Sequence, residues 1–221
     1  WKANRLLATY GVPIPNRQIF HLKQPVENIN LQFPVIVKPV HEDASLGITF
    51  DSVVQNEHDL AARAKRVFEL YRQPALAEEF IDGREISVGC LGNRPNVHMF
   101  PPVEFTFGAS VPTLRKIRSY EYKWGGKKEG MERAVLPPEI EHKLREYTRT
   151  AFLALDCRDY ARVDYRVTQK GEIFLLEVNC NPGIGPNTHG LNNTLTIMAS
   201  YDGYTFESFI AKIVEVACAR S

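Results

Sequence analysis

The 221-residue sequence lacks the features of membrane and secreted proteins. No apolar run approaches the roughly 18–20 residues that a bilayer-spanning helix needs. The longest runs, such as Phe33–Val37, have the length of a β-strand, and no signal-peptide pattern is present. We therefore expect a cytoplasmic protein that does not enter a membrane.

Charge of one sign is also scarce. The chain has 27 basic and 26 acidic residues, a formal net charge of +1. A nucleic-acid-binding protein more often carries a strongly basic face. This balance argues against nucleic acid as a partner.

Cysteine is sparse and widely spaced, at Cys90, Cys157, Cys180 and Cys218. None forms a C-x-x-C pair, so neither a disulfide scaffold nor a spaced zinc site is indicated. We expect reduced thiols, at least three of them in the core, with Cys180 beside the site described below.

The first part of the chain has the pattern of a small mixed lobe, residues 12–80. Apolar spacing of a helix is evident from Leu60 to Tyr71. We predict a helix at Glu57–Tyr71 and strands at Arg17–Phe20, Pro34–Lys38, Ile48–Val54 and Ala75–Ile81.

Residues 81–221 have the pattern of a larger lobe. Strands and helices do not alternate strictly, which favours an α+β fold with an antiparallel sheet in this lobe. We predict strands at Arg84–Leu91, Asn96–Phe105, Tyr160–Thr168 and Glu172–Asn179, and helices at Glu139–Leu155, Leu191–Ser200 and Thr205–Ala219.

The strands Tyr160–Thr168 and Glu172–Asn179 form a predicted hairpin. A regular ladder from its turn pairs Thr168 with Ile173, Asp164 with Glu177, and Arg162 with Asn179. Side chains alternate between the faces of a strand, so Arg162, Asp164, Glu177 and Asn179 share one face. The other face then carries the apolar residues Ala161, Val163, Val167, Phe174, Leu176 and Val178.

Two directly opposed carboxylates, Asp164 and Glu177, destabilise a sheet unless something separates their charges. A divalent cation would do so, since carboxylate and amide oxygens are ligands that Mg²⁺ prefers. Asn179 would complete the set, and Arg162 could hold an anionic oxygen. The alternative is an exposed hairpin face with incidental charges.

Lys38 ends a buried strand and precedes a polar loop that contains Ser45 and Gly47. Backbone N–H groups of such a loop can bind phosphates while the lysine supplies charge. The spacing is not that of a Walker A motif. The alternative is a solvated surface lysine.

Further along, Glu78-Glu79-Phe80-Ile81 leads into a turn and then Glu85. A connecting segment of this kind can bind adenine through its backbone, and a carboxylate shortly after it can accept from ribose hydroxyls. The alternative for Glu78 and Glu79 is a solvated strand edge.

Arg115–Arg133 contains seven basic and three acidic residues, with Lys123 and Trp124 just before its glycines. A basic, mobile loop of this kind can close over phosphates as a lid. The alternative is a solvated loop. His189, in the later glycine-rich loop, is a candidate for substrate contact.

Together these motifs resemble the ATP-grasp ligases, and most closely the D-alanine–D-alanine ligase family. The resemblance covers nearly the whole chain, as one ATP-grasp domain over residues 1–221. Its motifs, in chain order, are Phe33–Pro39 with Ser45–Gly47, Glu78–Ile81 with Glu85, Tyr120–Trp124, Ala161–Asp164 and Leu176–Gly183.

The resemblance implies two lobes that bind ATP between them. Lys38 and the Ser45 loop would hold phosphates, with Lys123 approaching them. Adenine would contact Glu78, Glu79, Phe80 and Ile81, and ribose would contact Glu85. Two Mg²⁺ ions, or Mn²⁺ in their place, would be bound by Asp164, Glu177 and Asn179. Arg162 and the backbone at Gly183 would stabilise a tetrahedral intermediate.

The implied reaction phosphorylates a carboxylate with ATP, and an amine then displaces the phosphate to form an amide. The implied partners are small-molecule carboxylates and amines of the amino-acid class, with a homodimer as one option. Another amino-acid or peptide ligase, a non-catalytic ATP-binding module and a purely structural domain remain alternatives.

The sequence departs from the family pattern at three places. The family's N-terminal domain would lie upstream of Trp1. Arg166 stands where an apolar residue usually lies under the adenine, although its aliphatic stem could pack there. The loop Pro182–Gly190, which would receive the second substrate, is not the serine- and histidine-rich form.

Overall fold

The structure is a computed structural model that describes residues 1–123, 125–126, 129–186 and 193–220. It divides into two compact units. The larger unit comprises Trp1–Ile14, Gly83–Thr106 and Met131–Ser221, and the smaller one Pro15–Asp82 and Phe107–Gly130. The smaller unit thus includes a segment, Phe107–Gly130, that the sequence-based boundaries assign to the larger lobe.

The smaller unit is built on a four-stranded antiparallel sheet in the order β1-β4-β2-β3. The strands are β1 (Arg17–Phe20), β2 (Val35–Pro39), β3 (Val53–Val54) and β4 (Ala75–Glu79). The helix α2 (Glu57–Tyr71) packs its buried residues Leu60, Ala64 and Val67 against Val35, Val37 and Ala77 of the sheet. A one-turn helix, α3 (Tyr120–Lys123), also belongs to this unit.

The ends of α2 follow from local sequence. The side chain of Asn56 accepts a hydrogen bond from the backbone N–H of Asp59, which satisfies a free donor of the first turn. Arg72 ends the helix in the left-handed conformation. Both bounds of the predicted helix are confirmed.

The larger unit contains a six-stranded sheet with the order β10-β9-β5-β7-β8, and β6 pairs with β5. Its strands are β5 (Arg84–Asn93), β6 (Asn96–Met99), β7 (Val103–Thr106), β8 (Gly130–Arg133), β9 (Tyr160–Val167) and β10 (Ile173–Asn179). Its helices are α1 (Lys2–Thr9), α4 (Pro138–Ala154), α5 (Thr194–Tyr201) and α6 (Phe206–Cys218). The predicted α+β class with antiparallel pairing is confirmed.

Two core clusters cover this sheet. Leu7 of α1 and Leu144 and Ala151 of α4 pack against Val163 and Tyr165 of β9. Leu195 and Met198 of α5 and Phe209 of α6 pack against Leu91, Val103 and Phe105. Strand β9 is therefore buried along nearly its whole length, and this burial determines the surroundings of the site residues that it carries.

Three predicted strands are wrong in extent, and one of them, Ala75–Ile81, ends at Glu79. Ile48–Val54 contains a 3-10 turn at Phe50–Ser52, which leaves only Val53–Val54 extended. Asn96–Phe105 is two strands, separated at Phe100-Pro101-Pro102. Proline has no N–H to donate to a ladder, which accounts for the interruption.

The cysteines are less buried than the sequence suggests. Cys90 is buried and Cys157 is half-buried, whereas Cys180 and Cys218 are exposed. The expectation of at least three core cysteines is therefore wrong, since Cys218 lies in the exposed last turn of α6. In the described part of the chain, no helix combines the length and apolar character that a membrane span requires.

Candidate functional site

The predicted opposed pairs of the β9–β10 hairpin are present. Glu177 faces Asp164, and Asn179 faces Arg162. The route to this register differs from the regular ladder that the sequence predicts. Ile173 pairs with Val167 rather than with Thr168, and an irregularity between Leu175 and Glu177 then shifts the ladder by one residue.

This β-bulge inserts one extra residue, Leu176, into β10 and changes the phase of its side chains. Ile173 and Leu175 belong to the core, with Val178 packed against it. The prediction that Phe174 and Leu176 lie on the core face with Val178 is therefore wrong. Downstream of the bulge, Glu177 and Asn179 return to the predicted register with β9.

Arg162 and Asp164 form a buried two-bond ion pair along β9. The Arg162 guanidinium donates from Nε to Asp164 Oδ1 and from Nη2 to Oδ2, each at 2.8 Å. The Ser87 hydroxyl of the neighbouring β5 also donates to Asp164 Oδ1. Burial alone would lower the pKa of Arg162, but the charge and hydrogen bonds of Asp164 outweigh it and raise that pKa.

Glu177 is held much less tightly than Asp164. Its side chain is 56% exposed, against 9% for Asp164, and its Oε1 lies 3.8 Å from Arg162 Nη2. One guanidinium thus contacts both opposed carboxylates, which reduces their mutual repulsion. The burial of Arg162 and Asp164 does not match an exposed hairpin face with incidental charges.

Asn179 and the segment after β10 continue this face. Asn179 Oδ1 accepts from the backbone N–H of Asn181 at 3.0 Å, and Asn181 Oδ1 accepts from the Tyr160 hydroxyl at 2.9 Å. Gly183 follows and is exposed. Residues 187–192, which include the candidate His189, lie outside the described residues.

The oxygens of Asp164, Glu177 and Asn179 fit a hard divalent cation. They are two carboxylates and an amide, the donor types that Mg²⁺ and Mn²⁺ take in proteins. The bonds from Arg162 and Ser87 fix the position of the Asp164 carboxylate on this face of the strand.

In the smaller unit, Lys38 and Glu78 form a buried ionic triad with Arg17. Lys38 Nζ contacts Glu78 Oε2, and Arg17 Nη2 lies 3.1 Å from Glu78 Oε1. Burial would raise the pKa of Glu78, but the charges of Lys38 and Arg17 outweigh it and lower that pKa. The alternatives of a solvated strand edge for Glu78 and a freely solvated Lys38 are therefore wrong.

The loop after Lys38 has an unusual backbone. Ala44, Ser45 and Gly47 have positive φ angles of 50°, 64° and 80°. Two of these residues are not glycine, so the conformation is strained. Runs of such residues turn successive N–H groups to one side and form anion-binding concavities. The Ser45 hydroxyl itself donates to the carbonyl of Arg118 at 2.5 Å.

The remaining nucleotide candidates follow β4. Glu79 Oε1 accepts from the backbone N–H of Gln32 at 2.8 Å, so this side chain is occupied locally. Phe80 and Ile81 are half-buried. The segment Glu79–Ile81 therefore offers mainly backbone groups and apolar surface.

Glu85 is bound to Arg166 in the larger unit. Arg166 Nη2 lies 2.7 Å from Glu85 Oε2, and its Nη1 donates to the Gly83 carbonyl at 3.0 Å. Both side chains are buried. The guanidinium of Arg166, and not only its aliphatic stem, thus has a defined partner.

The basic segment that carries Lys123 is attached to neighbouring residues of the smaller unit. Tyr120 N–H donates to the Ile48 carbonyl at 2.8 Å, and Tyr122 is buried with its ring against Phe50 and Phe107. The solvated-loop alternative is wrong for this part. Trp124 lies outside the described residues.

The structure therefore groups the sequence-derived candidates in two sets, one in each unit. The smaller unit holds Lys38, Ser45, Glu78, Glu79, Phe80, Ile81 and Lys123; the larger unit holds Glu85, Arg162, Asp164, Glu177, Asn179 and Gly183. Sequence reasoning missed Arg17 and Ser87. No local signal identifies them, because each acts through a strand or loop distant in sequence.

Comparisons with known proteins identify the family to which the chain belongs. The family model described as "D-ala D-ala ligase C-terminus" matches residues 6–215. An uncharacterized protein of Sinorhizobium fredii is 38% identical over 97% of the chain and 61% of its own length. A D-alanine–D-alanine ligase of Carboxydothermus hydrogenoformans is 31% identical over 95% of the chain and 65% of its length.

Among solved structures, the D-alanine–D-alanine ligase of Bacillus anthracis complexed with ATP superposes with a TM-score of 0.76. Sequence identity is 22%, and the match covers 98% of this chain and 64% of that one. This likeness concerns the fold. The chain spans less than two thirds of the length of these relatives.

Proposed function

The chain belongs to the D-alanine–D-alanine ligase C-terminal family, and from that premise we propose that it is the ATP-binding and phosphoryl-transferring part of a carboxylate–amine ligase. The observation that carries this proposal is the constellation on β9 and β10. A buried Arg162–Asp164 pair lies beside the accessible carboxylate of Glu177, with Asn179 opposite Arg162.

In this proposal the smaller unit supplies the nucleotide contacts. The strained loop at Ala44–Gly47 turns its N–H groups toward phosphate, and Lys38 and Lys123 add positive charge. The segment Glu79–Ile81 binds adenine through its backbone and apolar surface, while Glu78 keeps Lys38 in place.

Asp164, Glu177 and Asn179 would hold the magnesium ions. Bound Mg²⁺ supplies charge neutralisation at phosphate oxygens. Arg162, oriented by both of its bonds to Asp164, presents its remaining N–H donors to an anionic oxygen of the reacting group. The backbone N–H at Gly183 is a second donor of this kind.

The chemistry that fits these roles proceeds through an acyl phosphate. A substrate carboxylate oxygen attacks the γ-phosphorus of ATP and releases ADP. An amine nitrogen then attacks the acyl carbon, loses a proton and displaces phosphate, which leaves an amide. The relatives named as D-alanine–D-alanine ligases support amino acids as substrates.

ATP binding and turnover test the proposal in two steps. Saturating ATP, at about 100 times its Kd, should raise the free energy of unfolding by about 2.7 kcal/mol in a thermal-shift experiment. The full-length protein should then release ADP only with Mg²⁺ and an amino acid or dipeptide from a broad panel.

The outcomes separate the alternatives. ATP binding without ADP release on any panel member would refute the ligase and leave a nucleotide-binding module. No thermal shift with ATP, with or without Mg²⁺, would refute nucleotide binding as well.

A further inference from the structure

Arg63 is a buried cation that contacts the loop after Lys38. It lies on the core side of α2, one residue before Ala64, and is only 9% exposed. Its Nη2 donates to the carbonyl of Gly47 at 2.8 Å and to Ser52 Oγ at 2.7 Å. All these residues belong to the smaller unit.

A buried guanidinium at this position lowers the stability of the folded protein. Both of its hydrogen bonds go to neutral oxygens, and its Nε has no hydrogen-bond partner among the described residues. Burial and the nearby charge of Arg66 lower the pKa of Arg63 by more than the charges of Asp51, Tyr71 and Glu121 raise it. Burying an imperfectly paired charge costs free energy that an apolar side chain in the same place would not.

The contacts of Arg63 account for an arginine at this position better than a gain in stability does. Gly47 has a φ of 80°, and a Cβ there would lie 2.4 Å from Pro39 Cγ, so the loop is closely fitted at this point. Ser52 Oγ accepts from the backbone N–H of Thr49 at 2.8 Å. Arg63 thus joins the two ends of the turn Gly47–Ser52.

The same turn is hydrogen-bonded to α3. The backbone N–H of Phe50 donates to Glu121 Oε1 at 3.2 Å, and Ile48 accepts from Tyr120. Contacts therefore run from Arg63 through the turn to the helix that ends at Lys123. Lys38 precedes the loop and Lys123 ends α3. This network therefore joins the two segments next to the cationic groups that we propose for phosphate binding.

We propose that Arg63 is a positioning residue for nucleotide phosphates. It sets the Ser45–Gly47 backbone and, through Ser52 and Phe50, the helix that bears Lys123. This inference rests on the proposed ATP binding. It adds a residue on α2 that would act through its bonds to the Gly47 carbonyl and the Ser52 hydroxyl.

The test compares Arg63→Met with Arg66→Met, a matched control at an exposed position on the same helix. Arg63→Met should weaken ATP binding at least about tenfold. This is the loss expected when one charge-assisted hydrogen bond to a phosphate, from the loop or from Lys123, is no longer in position. Adenosine binding, measured by competition against a fluorescent adenine nucleotide, should stay within about twofold of wild type. The control should match wild type for both ligands.

Selective loss of ATP affinity distinguishes positioning from general destabilisation, which would weaken both ligands together. As a second measurement, Arg63→Ala should regain ATP affinity with millimolar guanidinium, and Arg66→Ala should not respond. Equal loss for ATP and adenosine, or no loss for either, would overturn the inference alone. Failure of the wild-type protein to bind ATP would refute the proposed function and this inference together.

Discussion

Replacement of Glu177 by Gln is expected to abolish Mg²⁺-dependent ATP turnover while leaving the nucleotide-free protein as stable as wild type. Gln keeps the shape of the side chain but loses the charge that a divalent cation requires. A metal ion supplies several kcal/mol of transition-state stabilisation, so kcat should fall by about 1000-fold or more. The measurement is ADP release at saturating ATP.

The stability expectation follows from the exposure of Glu177. Its side chain is 56% exposed, and its contact with Arg162 is long, at 3.8 Å. Loss of the charge also removes repulsion with Asp164, directly opposite. The free energy of unfolding without nucleotide should therefore change by no more than about 0.5 kcal/mol.

Glu172→Gln is the matched control, because Glu172 is an exposed carboxylate beside the turn of the same hairpin. It should retain wild-type turnover. A Glu177→Gln protein that turns over ATP normally would remove Glu177 from the metal set. A large loss of stability without nucleotide would instead make Glu177 a structural residue.

Much of the site can be predicted from the sequence because its determinants are local. The spacing between Asp164 and Glu177 and a short turn are enough to oppose them in a hairpin. The helix Glu57–Tyr71 is equally local, since its cap and its apolar period lie within it. The resemblance to the family motifs then supplies the chemistry that we propose for these residues.

The β-bulge could not be predicted from the same stretch. Ile173–Leu176 is a continuous apolar run, and such a run does not reveal which residues face the core. The phase is set by packing against α4 and β9. The opposed pairs were nonetheless predicted, because an error of one residue at the turn is cancelled by the extra residue at the bulge.

Partners from distant strands were missed for a related reason. Ser87 reaches Asp164 only because β5 pairs with β9, and Arg17 reaches Glu78 only because β1 pairs with β4. Periodicity identifies strands but not their neighbours. The pairing of strands far apart in the chain is a property of the whole fold.

Replacement of Glu78 is expected to have the largest effect on stability among these long-range contacts. Glu78→Gln should lower the free energy of unfolding without nucleotide by about 3–5 kcal/mol, since it leaves Arg17 and Lys38 as neighbouring cations without their shared carboxylate. Chemical denaturation at neutral pH measures this loss. Glu79→Gln is the control. Glu79 is half-buried, and its carboxylate accepts hydrogen bonds only from neutral donors, the Asn16 amide and the Gln32 backbone N–H, among the described residues. The loss of stability should therefore stay below about 1 kcal/mol.

The pH dependence of stability gives an independent result. The pKa of Glu78 is lowered in the folded protein, although burial opposes the shift, because Lys38 and Arg17 favour the charged form. Its contribution is therefore present above the unfolded-state pKa, about 4.3, and is lost as pH falls through the lower folded-state pKa. Wild type should lose stability across this acidic range more steeply than Glu78→Gln does. Parallel profiles would show that Glu78 is not held as a carboxylate by the triad.

A double variant separates charge compensation from packing. Arg17→Met with Glu78→Leu removes the most buried ion pair and fills its space with apolar atoms, and Lys38, at 22% exposed, can still reach water. Replacing a buried pair in this way is often neutral, whereas removing one partner is costly. The double variant should therefore be more stable than Glu78→Gln, yet bind ATP more weakly than wild type because Lys38 loses the carboxylate that orients it. Wild-type ATP affinity in the double variant would mean that the triad stabilises the sheet without positioning Lys38.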